Sequence, residues 1–227
     1  MPSYKKHALF SLIIALPFFQ DVFYLSLALI GASIIDMDHH VKKDNLILMV
    51  ASGIILSLLL YFLNLPFLIG IALIAMAIIF HLSNHRGFTH SIPGVIILSF
   101  LLAFFVLGSY NLFNGFGINN KIPLIIISII LGVIVLNKKL ILPFVILASA
   151  GIIIGPNINL NIQYAFLALF LGAISHIMLD LFTPSGISLF NPISSKKFKK
   201  SAGIVLFILW LIPSFILVFQ YIKMNFS

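Results

Sequence analysis

IQYAFLALFLGAISHIMLDLF, residues 162–182, decides the fold. A helix needs about 20 mostly apolar residues to cross the hydrocarbon core of a bilayer, and this run supplies them. Yet it ends in His176 and Asp180, which at a spacing of four share one face of a helix. Ionisable groups at a membrane boundary are costly and are usually paired or functional. One stretch therefore predicts both a membrane helix and a site at its end.

Outward from there the chain repeats the pattern. It is 62% hydrophobic and only 8% charged, with a mean hydropathy of +1.23, so every polar cluster needs a reason. Apolar runs fall at 8–19, 22–35, 45–63, 65–82, 92–113, 122–136, 140–155, 162–182 and 203–222. They predict an all-α fold, a polytopic integral membrane helical bundle of about eight to nine hydrophobic helices. Residues 1–227 read as a single integral membrane domain, with the polar motifs within 1–195 and a C-terminal span at 203–222. The first two runs are short for a crossing. They are either mismatched spans or a re-entrant hairpin, and both return the chain to its starting side. Phe18-Phe19-Gln20-Asp21 lacks the small residues of a signal cleavage site. Asn64-Leu65-Pro66 is a minimal connector between two antiparallel helices.

The +8 net charge reads as membrane orientation, not as a nucleic-acid surface. With the N-terminus placed in the cytoplasm, Lys5, Lys6, Lys42, Lys43, Arg86, Lys138, Lys139, Lys196, Lys197, Lys199 and Lys200 fall inside, and only Lys121 and Lys223 fall outside. That is the positive-inside pattern, and it predicts a multi-pass protein of the cytoplasmic (inner) membrane. Under the same topology three polar clusters, Asp36–His40, His85–Ser91 and His176–Asp180, close even-numbered spans on one face, and His7 opens the first span there. The outer loops hold Asp21 and no His.

The chain has no Cys, so it has no disulfide framework and no thiolate metal site. A metal must be held by His nitrogen and carboxylate oxygen. Asp36-Met37-Asp38-His39-His40 offers two carboxylates and two imidazoles within one turn, and two carboxylates so close repel unless a cation sits between them. Asp36, His39, His85, His90, His176 and Asp180 are the candidate ligands, enough for one divalent ion and for a second. The plain alternatives are salt bridges from Asp36 and Asp38 to Lys42 or Lys43, a tight turn at Gly87, an N-cap at Asp44-Asn45, and interfacial hydrogen bonding by His7 and His81.

Asp-x-Asp-His at 36–39, His-Arg-Gly-x-Thr-His-Ser at 85–91, and His-x-x-x-Asp-x-x-Thr-x-x-Gly at 176–186 with a later Pro192 resemble, in this order, the motifs of the YdjM family. That family is described as membrane-bound, metal-dependent hydrolases, LexA-regulated in some bacteria. His7, just before the first span, also matches and joins the ligand candidates on that ground. The resemblance covers about residues 1–195, and Ile35 stands where the family has Pro. More distantly the motifs are similar to those of zinc-dependent phospholipase C.

The expectation is a membrane-embedded hydrolase of an ester or phosphoester of a lipid-like substrate. It would use one or two divalent ions, Zn first, with Mn or Fe as alternatives. Asp38 is the free general base, Arg86 holds a phosphate or carboxylate oxygen, and Thr89 or Ser91 orients it. The Lys196–Lys200 patch favours an anionic phospholipid and no nucleic acid is expected. Two other classes compete. An ion-coupled transporter would place its polar groups near the bilayer midplane, often in repeats; a non-catalytic metal staple would tolerate loss of Asp38 and Arg86.

Overall fold

The computed structural model describes residues 3–39, 43–83 and 87–226. Its α-helices, in chain order, are α1 (Tyr4–Ala15), α2 (Val22–Ile34), α3 (Lys43–Phe62), α4 (Leu68–Leu82), α5 (Ile92–Gly115), α6 (Lys121–Val135), α7 (Lys138–Ile154), α8 (Ile162–Leu181) and α9 (Lys200–Phe226). Short 3-10 helices at Ile35–His39 and Phe88–His90 precede α3 and α5. Among the described residues the fold is all-helical, with one isolated bridge between Ile187 and Phe198.

Among the described residues three helices are long and apolar enough to cross a membrane: Ile92–Gly115, Ile162–Leu181 and Lys200–Met224. That is fewer than the eight to nine membrane helices expected. α1, α2, α4, α6 and α7 are shorter, at 12–17 residues, and the apolar stretch of α3 is Leu46–Phe62; prolines and loop residues cut several of these runs. Residue 17, for example, is a proline with no N–H to donate to Ile13, so α1 stops at Ala15 instead of reaching residue 19. The same helix begins earlier than expected, at Tyr4, which brings His7 inside it and onto its buried face with Ser11 and Ile14. Pro66 likewise delays α4 to Leu68, and Asn64 takes a positive φ of 55° in the turn before it.

α8 is the axis of the bundle. It packs along α2 most extensively, then against α5 and α1, with α9 on its outside. The α2–α8 contact is close where glycines sit, Gly31 against the Leu169 backbone and Gly172 against the Ala28 backbone. A Cβ on Gly31 would run into the Leu169 carbonyl, and one on Gly172 into that of Ala28. In hydrocarbon there is little apolar drive between helices, so such close backbone approach is the source of their attraction. Leu27, Ile30, Leu98, Leu169 and Ile177 fill the core around this seam.

The periphery is different. α3 and α4 pair antiparallel and leave Leu48, Ile55, Phe62 and Leu82 exposed, while α9 exposes most of its apolar side chains. α9 is tied to α1 by Trp210 Nε1, which donates to the Ile14 carbonyl at 3.0 Å. At the end of the bundle away from the polar motifs, Lys121 Nζ donates to the Ile153 and Gly155 carbonyls at 2.8 Å each and closes the C-terminus of α7.

Candidate metal centre

Four segments deliver ligand-type side chains to one end of the bundle. α1 carries His7 one turn from its start. α2 tightens into the 3-10 helix that presents Asp36 just past its end. The other 3-10 helix presents His90, and α8 brings His176 and Asp180, four apart, on its last turns.

Local hydrogen bonds fix each segment. Tyr4 Oη donates to Ser33 Oγ at 2.7 Å, and Ser33 Oγ to the Leu29 carbonyl at 2.9 Å, locking α1 to α2 one turn before Asp36. Ser91 caps α5: its hydroxyl accepts from Gly94 N at 3.2 Å and donates to the Phe88 carbonyl at 2.7 Å. Ile92 N donates to the Leu189 carbonyl at 2.9 Å, so the loop after α8 holds the entry to α5. Thr183 Oγ1 donates to the Asp180 carbonyl at 2.7 Å and ends α8 directly beyond its carboxylate.

The donor atoms converge. Asp36 Oδ1 lies 3.5 Å from both His90 Nε2 and His176 Nε2. Asp180 Oδ2 lies 3.8 Å from His90 Nε2 and 3.6 Å from His176 Nε2. The other carboxylate oxygen of Asp180 sits 3.6 Å from His7 Nε2. The His7 ring stacks on that of His176 with centroids 3.9 Å apart, and His90 meets His176 edge-on at 5.4 Å. Two groups of three, His7/His176/Asp180 and Asp36/His90/His176, each bring their donor atoms within 4.8 Å of one another.

These distances decide what the cluster suits. A charge-assisted hydrogen bond between imidazole and carboxylate closes to about 2.7–2.9 Å. Donors at about 2.0–2.2 Å from a tetrahedral ion are instead about 3.3–3.6 Å apart, close to the spacing seen here. His176 supports the second geometry. Its Nδ1 lies 2.7 Å from the Ala32 carbonyl, which can only accept, so Nδ1 carries a proton and, in the neutral ring, Nε2 keeps its lone pair. That Nε2 is buried with no hydrogen-bond partner while facing two carboxylates. A ring fixed through its other nitrogen is the usual setting of a metal-ligating histidine. The residues therefore fit a divalent ion. The two groups share His176, whose only available lone pair serves one ion at a time, so they form one centre and not two full ones.

Burial grades the cluster. The side chains of His90, His176, Asp180 and His7 are 0%, 1%, 2% and 6% exposed, whereas Asp36 is 31% exposed. Burial alone would raise the Asp36 carboxyl, but in the ion-free cluster protons on the His176 and His90 rings against it hold it well below the usual carboxylate range. It is a carboxylate at any physiological pH.

The structure brings together His7, Asp36, His90, His176 and Asp180 of the residues singled out in the sequence. Thr89 is fully buried, and its hydroxyl lies 3.1 Å from His90 Nδ1. His85 and Arg86 lie outside the described residues, as do the side chains of Asp38 and His39, whose backbones form the 3-10 helix after α2. His81 is exposed on the last turn of α4. Sequence reasoning missed the Ala32 carbonyl, for which no side-chain signal exists, and the Tyr4–Ser33 link, whose one trace was a serine inside an apolar run.

Fold and site together define a helical membrane protein with a buried His/Asp group able to hold a metal ion. A family model described as YdjM inner membrane protein matches residues 1–226, essentially the whole chain, and the chain belongs to that family. Comparison with curated proteins and with solved structures returns no significant match.

Proposed function

We propose that this chain is a multi-pass inner-membrane hydrolase, with its N-terminus in the cytoplasm, that cleaves an ester or phosphoester of a membrane-borne substrate. The observation that carries the reading is the ring of donors, Asp36 Oδ1, His90 Nε2, Asp180 Oδ2 and His176 Nε2, whose neighbours are 3.5–3.8 Å apart. These four residues would hold the divalent ion, and His7 would hold the second oxygen of Asp180. When bound, the ion supplies Lewis acidity towards an ester or phosphoryl oxygen and the means to acidify water near neutral pH. The spacing and the all-N/O donor set favour Zn, with Mn or Fe next.

The chain's own groups do the rest. His90 and His176 are held rigid through Nδ1, by Thr89 and by the Ala32 carbonyl respectively. Asp36, the exposed edge of the cluster, is the side from which a substrate reaches it. Hydrolysis adds water's oxygen to the acyl carbon or phosphorus and breaks the bond to the ester oxygen. The water proton ends on the departing alkoxide. Asp38, on the same 3-10 helix as Asp36, is assigned to take and return that proton, and Arg86 to pair with an anionic oxygen.

The test is elemental analysis of the detergent-purified chain beside His176→Ala and Asp36→Ala, followed by turnover of bis(p-nitrophenyl) phosphate and p-nitrophenyl butyrate. Stoichiometric metal in the parent, lost in both variants together with chelator-sensitive turnover, is the expected result. A parent that takes up no Zn, Mn or Fe after reconstitution with each ion would sink the hydrolase reading.

A further inference from the structure

We infer that the cleft between α1, α2 and α7 is the acyl-chain site of an anionic bilayer lipid, whose headgroup is presented to the cluster beside Asp36 and paired with Lys138. The inference rests on the hydrolase reading for what happens to that lipid, but not for the binding itself.

Access comes first. Among the described members of the cluster only Asp36 has appreciable exposure, so a substrate must approach along its flank. A cavity of about 560 Å³ opens there, with Tyr4, Ser33, Asp36 and Lys138 on its polar side and Leu48 and Met49 on its apolar side. A mouth of this composition suits a headgroup and the first carbons of a chain.

A second cavity, of about 360 Å³, continues along the same helices. Ala8 lies one turn beyond Tyr4 on α1, Leu29 one turn before Ser33 on α2, and Leu140 just after Lys138 on α7, and all three line it. Its only polar side chain is Ser26, whose hydroxyl already donates to the Val22 carbonyl at 2.8 Å. The cleft follows α2 from Leu29 to Val22, and from Ser33 to Val22 the helix rises about 16 Å. That is half of the hydrocarbon core of about 30 Å, the depth of one leaflet and hence of one acyl chain. The alternatives fit poorly. A cavity of this volume is too small for a helix, and an extended peptide would find no partners for its backbone groups. Lys138, exposed at the mouth as α7 begins, supplies the charge that selects an anionic headgroup over a zwitterionic one.

Native mass spectrometry of the full chain tests this, with palmitoyl-oleoyl phosphatidylglycerol, dihexanoyl phosphatidylglycerol and palmitoyl-oleoyl phosphatidylcholine as probes. Leu147 lines the cleft but is 70% exposed, and Leu142, on the same helix, is 69% exposed and does not line it. Leu147→Trp should lower retention of the long-chain phosphatidylglycerol about tenfold, and Leu142→Trp should leave it at the parental level. The dihexanoyl lipid should bind weakly to every variant, and Lys138→Ala should abolish the preference for phosphatidylglycerol over phosphatidylcholine. Equal retention by Leu147→Trp and Leu142→Trp, or an unchanged headgroup preference in Lys138→Ala, overturns the inference. The two readings fail separately. A parent that cleaves p-nitrophenyl butyrate with metal, yet shows no difference between the two Trp variants, keeps the hydrolase and loses the cleft. A parent without metal whose lipid retention falls only in Leu147→Trp keeps the cleft and loses the hydrolase.

Discussion

α8 and α9 are both helices of membrane-crossing length, and the more hydrophobic of the two carries no ligand-type residue. α9 reaches a windowed mean hydropathy of 2.7 and buries 11% of that window inside the protein; α8 reaches only 1.8 and buries 61%. Hydropathy measures how well a helix suits lipid. A helix surrounded by other helices needs something else: small residues, such as Gly172, where backbones meet, and polar residues where a site is built. The lower hydropathy of α8 is therefore the mark of its central position, and α9 is the helix that faces hydrocarbon.

The largest effect that can break this contrast is on metal. Asp180→Ala removes the carboxylate that faces His90, His176 and His7 at 3.6–3.8 Å. Loss of a supporting contact around a metal ligand already costs 10–100-fold in affinity, so loss of the ligand should cost more than about 100-fold. Lys223→Ala on α9 should leave affinity unchanged, as read by competition with a fluorescent chelator. Equal losses in the two variants would remove the distinction.

Packing comes next. Gly172→Val would drive a side chain into the Ala28 backbone and should destabilise the bundle by about 3 kcal/mol. Phe215→Leu on α9, where the ring is 71% exposed, should stay within about 0.5 kcal/mol. Thermal unfolding of the metal-free protein in detergent checks both.

Acid sharpens the comparison further, because it acts on α8 and its partners and not on α9. Metal binding needs neutral imidazoles, so protons and the ion compete for the same ring nitrogens. Affinity should therefore fall as the pH is lowered from 8 to 5, by at least about tenfold across that range. Asp36 is held below the usual carboxylate range, so it stays charged across that window and adds nothing to the loss. A pH-independent affinity between 5 and 8 would show that the rings do not bind the ion.

Much of this was legible in the residues. Charged positions are so scarce that His176 and Asp180 stood out at the end of their run, and helical parity placed Asp36, His90 and His7 at the same end. What the pattern could not carry was depth and tightening. Pro17 ends α1 early, and the start at Tyr4 puts His7 within that helix, so the residue that looked interfacial is buried against His176. After residue 34 the α-helix gives way to a 3-10 turn, which repeats every third residue and aims its side chains differently. The orientation of His176 depends on a backbone carbonyl, Ala32, and every residue has one of those. The prolines and loops that shorten the peripheral helices were visible, but which runs still reach across a bilayer depends on helix ends that only the folded chain fixes.

The smallest expected effect concerns how α8 stops. Thr183 Oγ1 bonds the Asp180 carbonyl at 2.7 Å, and Thr183 N reaches the same oxygen at 3.0 Å. The backbone bond survives in Thr183→Ala, so only the hydroxyl contribution is lost, about 1 kcal/mol. The Asp180 carboxylate is held separately by packing within α8 and by the rings around it. Metal affinity should accordingly change by less than about tenfold, below the effect of removing a group that orients a ligand directly. Thr183→Ser keeps the hydroxyl and should restore stability to near the parental value. If Thr183→Ala instead abolished metal binding while leaving the unfolding temperature intact, the hydroxyl would belong to the centre itself and not to the helix end beneath it.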